Sequence, residues 1–194
     1  MDGKTNGKDI ENIISYLQKK QEGFDSVAQL SRDIIRGSGL AITLLHNKDV
    51  EGAKKRISDI EEIVGKIRIY DKDFAYYSVQ AYQEYAEAKI FYGIKTSGRI
   101  YGPGAIGVRG EAYLFGLLDV AGELKREIVE ALSEGCVSDA ERYYALMKEI
   151  YDSTRSIRFA EAVLPGFRKK QDVARIQLEN AGSDILLAKQ MRSK

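Results

Sequence analysis

Four carboxylates in the middle of the chain have the types and spacing for chemistry. Glu84 and Glu87 stand at i and i+3, and Asp119 and Glu123 at i and i+4, so each pair shares one face of a helix. Charged residues at such spacing most often form a solvated face, and each pair taken alone fits that. Two features set these apart. Glu84 and Glu87 border an apolar stripe with Tyr82, Tyr85 and Ala88, with few basic partners on the turn. Asp119 is embedded in FGLLDVAGEL between Gly116 and Gly122, where small residues let another helix or a ligand approach. Two helices that each offer two carboxylates can hold hard cations through oxygen. A di-iron carboxylate centre needs Glu-x-x-His on two helices, and the chain has one histidine, His46, outside any such motif. The oxygen-only set favours Mg²⁺ or Mn²⁺, and with them phosphoryl chemistry.

Other candidates are weaker. His46 follows Leu44 and Leu45 in an apolar stretch and reads as a satisfied core or capping histidine. Cys136 sits after Gly135 with no His or Asp placed to activate it. The glycines at 102, 104, 107 and 110 match neither phosphate-loop spacing, and no strand precedes them. Six tyrosines between Tyr70 and Tyr92 offer base stacking, but helix–helix contacts explain them as well.

These residues have to be positioned by helices. Apolar residues recur at helical spacing nearly throughout, and no segment alternates with period two. The spacing predicts about six helices, over 7–37, 49–69, 73–95, 110–134, 137–160 and 167–191. Gly37 and Gly39 mark the first break. Residues 96–110, with five glycines and Pro103, form the one long loop. The expected fold is therefore all-α: a single domain over 1–194, with 1–8 a flexible N-terminus and six to seven long helices. Helices this long favour an elongated bundle or packing between subunits. With 194 residues and 44% hydrophobic content the chain can bury a core without disulfides. Thirty basic against 29 acidic residues leave a net charge of +1, so any grip on nucleic acid must be local. One cysteine, a polar start (MDGKTNGKD) and the lack of an 18-residue apolar run predict a cytoplasmic protein with no membrane segment.

The order and spacing of several segments resemble the translin superfamily. They are LSRDIIRGSGLAITLLH at 30–46, AYQEYAEAKIF at 81–91, YLFGLLDVAGELKR at 113–126 and KKQDVARIQLENA at 169–181. The resemblance spans about residues 25–190. Translin itself binds RNA and single-stranded DNA and generally carries apolar residues where this chain has Glu84 and Asp119. The chain therefore looks like the catalytic branch, translin-associated factor X, in its compact archaeal form. That likeness implies helical subunits assembled into a hollow homo-octamer. It also implies a Mg²⁺-dependent (or Mn²⁺-dependent) endoribonuclease with its sites facing the interior. Carried over by motif, Glu84, Glu87, Asp119 and Glu123 would be catalytic metal ligands, Glu123 being shared with translin and so less diagnostic. RNA, or single-stranded DNA, would be held by basic residues such as Arg32, Arg36, Lys72 and Arg126. The segment from Gly166 onward adds a mild basic bias, seven Lys or Arg against three acids. Two alternatives stay open: a binding protein that does not cut, and a helical scaffold whose carboxylates are only solvated.

Overall fold

A computed structural model describes residues 7–192 of the protein, and among them every regular element is helical. The long helices are α1 (Gly7–His46), α2 (Val50–Ile67), α3 (Asp71–Ser97), α5 (Gly110–Ser133), α6 (Val137–Thr154) and α7 (Phe167–Arg192), and α4 (Pro103–Ile106) is a single turn. Gly7 and Lys8 already belong to α1, while the rest of the expected N-terminal extension, residues 1–6, lies outside the described residues.

The first helix departs most from expectation. It does not stop at Gly37 but continues to His46. Glycine costs a helix interior only about 1 kcal/mol relative to alanine, which tertiary packing can repay. At Gly37 it does: a Cβ there would lie 2.8 Å from Cγ1 of Ile60, so the bare backbone lets α2 close on α1. The helix ends at Asn47–Asp49, where Lys48 takes a positive φ and the Asp49 carboxylate accepts from the Gly52 amide at 2.9 Å to start α2. A 3₁₀ turn, Arg68–Tyr70, leads into α3, which kinks at Phe74.

The long loop falls where expected, but it is structured. Ile106 of α4 is buried, and the Arg68 guanidinium donates to the Gly107 carbonyl at 2.6 Å, which ties the loop to the end of α2. Helix α6 ends at Thr154 rather than near 160, because the Thr154 carbonyl accepts from the Gln171 side-chain amide of α7 at 2.7 Å. Elsewhere the predicted boundaries hold to within two residues.

Helix α3 packs against α1, α2 and α5, and α5 packs in turn against α6 and α7. One contiguous core joins them, with Tyr85, Phe91, Leu124, Ile128 and Met147 among its fully enclosed side chains. The four candidate carboxylates lie on α3 and α5, the two inner helices. No helix among the described residues is long and apolar enough to cross a membrane.

Candidate functional site

The site begins with a glycine. A Cβ on Gly116 would lie 2.6 Å from the Gln83 carbonyl oxygen and 2.9 Å from the Glu87 amide nitrogen, so α5 runs backbone to backbone against α3 at this level. One turn further along α5, Asp119 faces the same stretch of α3, and the Gln83 side-chain amide donates to its Oδ2 at 2.7 Å. Close packing at Gly116 thus gathers the two predicted carboxylate pairs into one cluster.

The electrostatics show how closely the four interact. Glu87 is 7% exposed. Burial pushes its carboxyl up to about 9, and the charges of Asp119, Glu84 and Glu123 add to that. Burial and the charge of Asp119 also raise Glu84. The cation inside the cluster is Lys170 of α7, whose ammonium pairs with Oδ1 of Asp119 and eases the carboxyls of Glu84 and Glu87. Burial first, and the neighbouring carboxylates second, make Glu87 a carboxyl that keeps its proton at neutral pH.

Glu123 is held from its other side. The His46 imidazole bridges two carboxylates, with Nε2 2.5 Å from Oε2 of Glu123 and Nδ1 2.7 Å from Oε1 of Glu127. Burial pulls the ring's pKa down, but the two hydrogen bonds outweigh it and the net shift is upward from 6.5. Each ring nitrogen faces a carboxylate oxygen, which accepts when ionised, so both are placed to donate, as in an imidazolium. Glu127 also accepts from Lys95 at 2.6 Å. His46 is thus a satisfied core histidine, as expected, and in addition it orients a member of the cluster. His46, Glu127 and Glu130 bring one ligand atom each within 4.8 Å of one another. That group already holds its cations, an imidazolium and the Lys95 ammonium. Among the described residues, no three of the four predicted carboxylates converge to that separation.

The four predicted basic residues are placed differently. Arg32, Arg36, Lys72 and Arg126 are all exposed, and Arg32 donates to Gln29 at 2.7 Å. The contacts with the carboxylates come instead from Gln83, His46 and Lys170. Gln83 and Lys170 were visible only as parts of the QEY-x-EA and KKQDV motifs. The tyrosines divide: the Tyr82 hydroxyl donates to Asp71 and that of Tyr85 to Glu61, both inside the bundle, whereas Tyr76 is 85% exposed. Cys136 is an exposed free thiol at the start of α6.

Beside Asp119 a cleft of about 480 Å³ opens between α5 and α7, lined by Gln83, Phe115, Gly122, Lys169 and Lys170. Asp119 is the member of the carboxylate cluster that lines it, together with the two lysines.

Comparison with known proteins agrees with this architecture. Residues 22–182 match the Translin family. The uncharacterized protein MJ0175 of Methanocaldococcus jannaschii is 30% identical over 182 residues, 92% of this chain and 82% of that protein. Among solved structures, AfC3PO in complex with duplex RNA superposes with a TM-score of 0.87 at 28% identity, covering 95% of this chain and 98% of that one. AfC3PO in a separate crystal structure gives 0.85 at 29% identity, over 95% and 99% of the two chains. The apo form of NeC3PO gives 0.87 at 22% identity, over 96% and 100%, which speaks to the fold alone. The all-α fold, the motifs at the α3–α5 crossing and the matched span lead to one conclusion: the chain belongs to the translin family.

Proposed function

We propose that the protein is a divalent-metal-dependent endoribonuclease that encloses RNA within a homo-oligomer, an octamer by family likeness. The observation that carries this reading is the gathering of Glu84, Glu87, Asp119 and Glu123 at one helix crossing. The donors fit the cation: they are all carboxylate oxygens, the preference of Mg²⁺ and Mn²⁺. An adjoining cleft with two lysines suits a phosphate backbone. The duplex RNA bound by AfC3PO supports RNA as the ligand, and single-stranded DNA is a second candidate on the translin pattern.

Glu84, Glu87, Asp119 and Glu123 would hold the cation. When bound, it stabilises charge on the phosphate and acidifies water for attack. Hydrolysis forms a bond from the water oxygen to phosphorus and breaks the bond from phosphorus to a sugar oxygen, which leaves carrying a proton. The chain's own contributions are positional. His46 fixes one oxygen of Glu123, Gln83 fixes one oxygen of Asp119, and Glu87, buried and protonated without a metal, would hold a cation in its ionised form. No histidine or tyrosine general base is needed.

The test is incubation of labelled RNA with purified protein in Mg²⁺ and in EDTA. Internal cleavage that requires the metal supports the reading. Binding without cleavage under both conditions would replace it with that of a translin-like binding protein. Absence of both would leave a helical scaffold.

A further inference from the structure

Lys170 stands on the third helix of the site, α7, and pairs with one oxygen of Asp119 while Gln83 occupies the other. That ammonium sits on the oxygen a cation ligated by Asp119 would use, and it brings a like charge to the same place. With Oδ2 already taken by Gln83, a bound cation and the Lys170 ammonium compete for Oδ1, and their like charges repel at that separation. The lysine is the one able to move. Its side chain is 32% exposed, its stem is flexible, and its ammonium lies 5.8 Å from the centre of the Phe115 ring, at the lip of the cleft that it lines with Lys169.

We propose that Lys170 is the built-in counter-ion of the carboxylate cluster when no metal is bound, and that on metal binding it turns from Asp119 into the cleft to hold the phosphate being cut. The inference rests on reading the four carboxylates as a metal site. It explains how four neighbouring carboxyl groups pack together when no metal ion is bound, and how one site serves two charge states. It also makes metal binding the event that arms the cleft for RNA: the ammonium, already in the cleft lining, is free to hold a phosphate only after Asp119 has been taken from it.

A simple stabilising role for the ion pair is the competing account. Helices α5 and α7 are joined without it, by the edge-on contact of Phe115 with Phe167 at 5.6 Å, by the Lys125–Asp184 pair and by the buried Ala174, Leu178, Ala181 and Ile185. A part-exposed ion pair adds little to such an interface, so Lys170→Met and Lys170→Gln should fold.

Three measurements decide, made on wild type, Lys170→Met, Lys170→Gln and the charge-keeping Lys170→Arg. Helicity by circular dichroism checks folding, and the Gln variant decides if the Met variant is damaged. Mn²⁺ binding without RNA, read by electron paramagnetic resonance, should tighten roughly tenfold in both neutral variants as the competing charge is lost. Cleavage at saturating Mg²⁺ should nevertheless fall on the order of 100-fold, as when one positioned charge is removed from a transferring phosphoryl group. The Mg²⁺ requirement and the maximal rate would therefore fall together, a combination that a structural role does not produce. Lys170→Arg should stay near wild type in metal affinity. Unchanged or weakened Mn²⁺ binding in the folded neutral variants overturns the counter-ion role, and unchanged maximal cleavage overturns the phosphate role. If wild type itself neither binds Mn²⁺ saturably nor cleaves, the metal reading fails and takes this inference with it. If wild type does both and the variants match it, only Lys170's role is lost.

Discussion

Glu87 is the residue with the sharpest expected behaviour. Its folded carboxyl titrates near 9 and its unfolded one near 4.5, so the folded state keeps a proton that the unfolded state has lost. Its contribution is complete below pH 4.5 and drains away as pH rises toward 9, at about 1.4 kcal/mol per pH unit at most. Burial does most to set that window, and the groups facing it adjust it: Asp119 and Glu123 on α5 and Glu84 on its own helix raise it, and Lys170 on α7 lowers it. Glu87→Gln removes the titration and keeps the volume. In EDTA the variant should gain a few kcal/mol over wild type at pH 8 and little at pH 5, by urea unfolding. The same substitution should abolish Mg²⁺-dependent cleavage, and equal turnover in variant and wild type would remove Glu87 from the site. Asp119→Asn makes the complementary case. Asparagine keeps a carbonyl oxygen for the Gln83 amide but loses the charge, and cleavage should fall by several kcal/mol of activation. RNA affinity at fixed salt should hold or improve, because a negative charge beside phosphate is gone. Loss of binding and helicity together would mark Asp119 as a folding residue. The four acids were legible because each pair repeats at helical spacing within one segment. Lys170 and His46 were not, since they reach the cluster across 51 and 77 positions of chain, and no local pattern encodes that distance.

At the scale of elements, glycine has two meanings that sequence alone does not separate. Gly37 and Gly39 looked alike, as a break between helices. Inside α1 they differ: a Cβ on Gly37 would press on the fully buried Ile60, while one on Gly39 would meet nothing within 4 Å. Gly39→Ala should therefore stabilise the protein by about 0.5–1 kcal/mol through helix propensity. Gly37→Ala should destabilise it by about 1–3 kcal/mol through overpacking, visible as opposite shifts in thermal unfolding. Two losses, or two gains, would contradict this account of the α1–α2 contact. The site depends on the same kind of approach at Gly116, where the obstacle is backbone that cannot rotate away. The periodicity that located the six helices is local and was read correctly. Helix ends depart from the periodicity where a remote partner decides them, as Gln171 does at Thr154 and Ile60 does at Gly37.

At the scale of the molecule, α1 outruns the subunit. Residues 7–22 are all exposed, a length of ~24 Å at 1.5 Å per residue. This overhang carries Ile10, Ile13, Ile14 and Leu17, between 46% and 53% exposed, at i, i+3, i+4 and i+7. Alone in water a helical segment of that length is marginal, and an apolar stripe on it calls for a partner. A second copy of the chain is the available one, and a net charge of +1 puts no long-range repulsion in its way. Enclosure within such an assembly would also let a near-neutral protein hold RNA, since only the inner surface need be basic. Light scattering on the purified protein should accordingly give a mass several times the 21.7 kDa of one chain, eight copies being the family pattern. The double variant Ile13→Glu with Leu17→Glu places two charges on the stripe and touches neither the core nor the carboxylate cluster. It should shift the mass downward while circular dichroism of the folded subunit changes little beyond the overhang. A wild-type mass of one chain across micromolar concentrations would remove the enclosure from the proposed mechanism. A variant of unchanged mass would move the subunit contact away from α1, with α7 a further candidate through its exposed Val173, Ile176, Leu186 and Leu187.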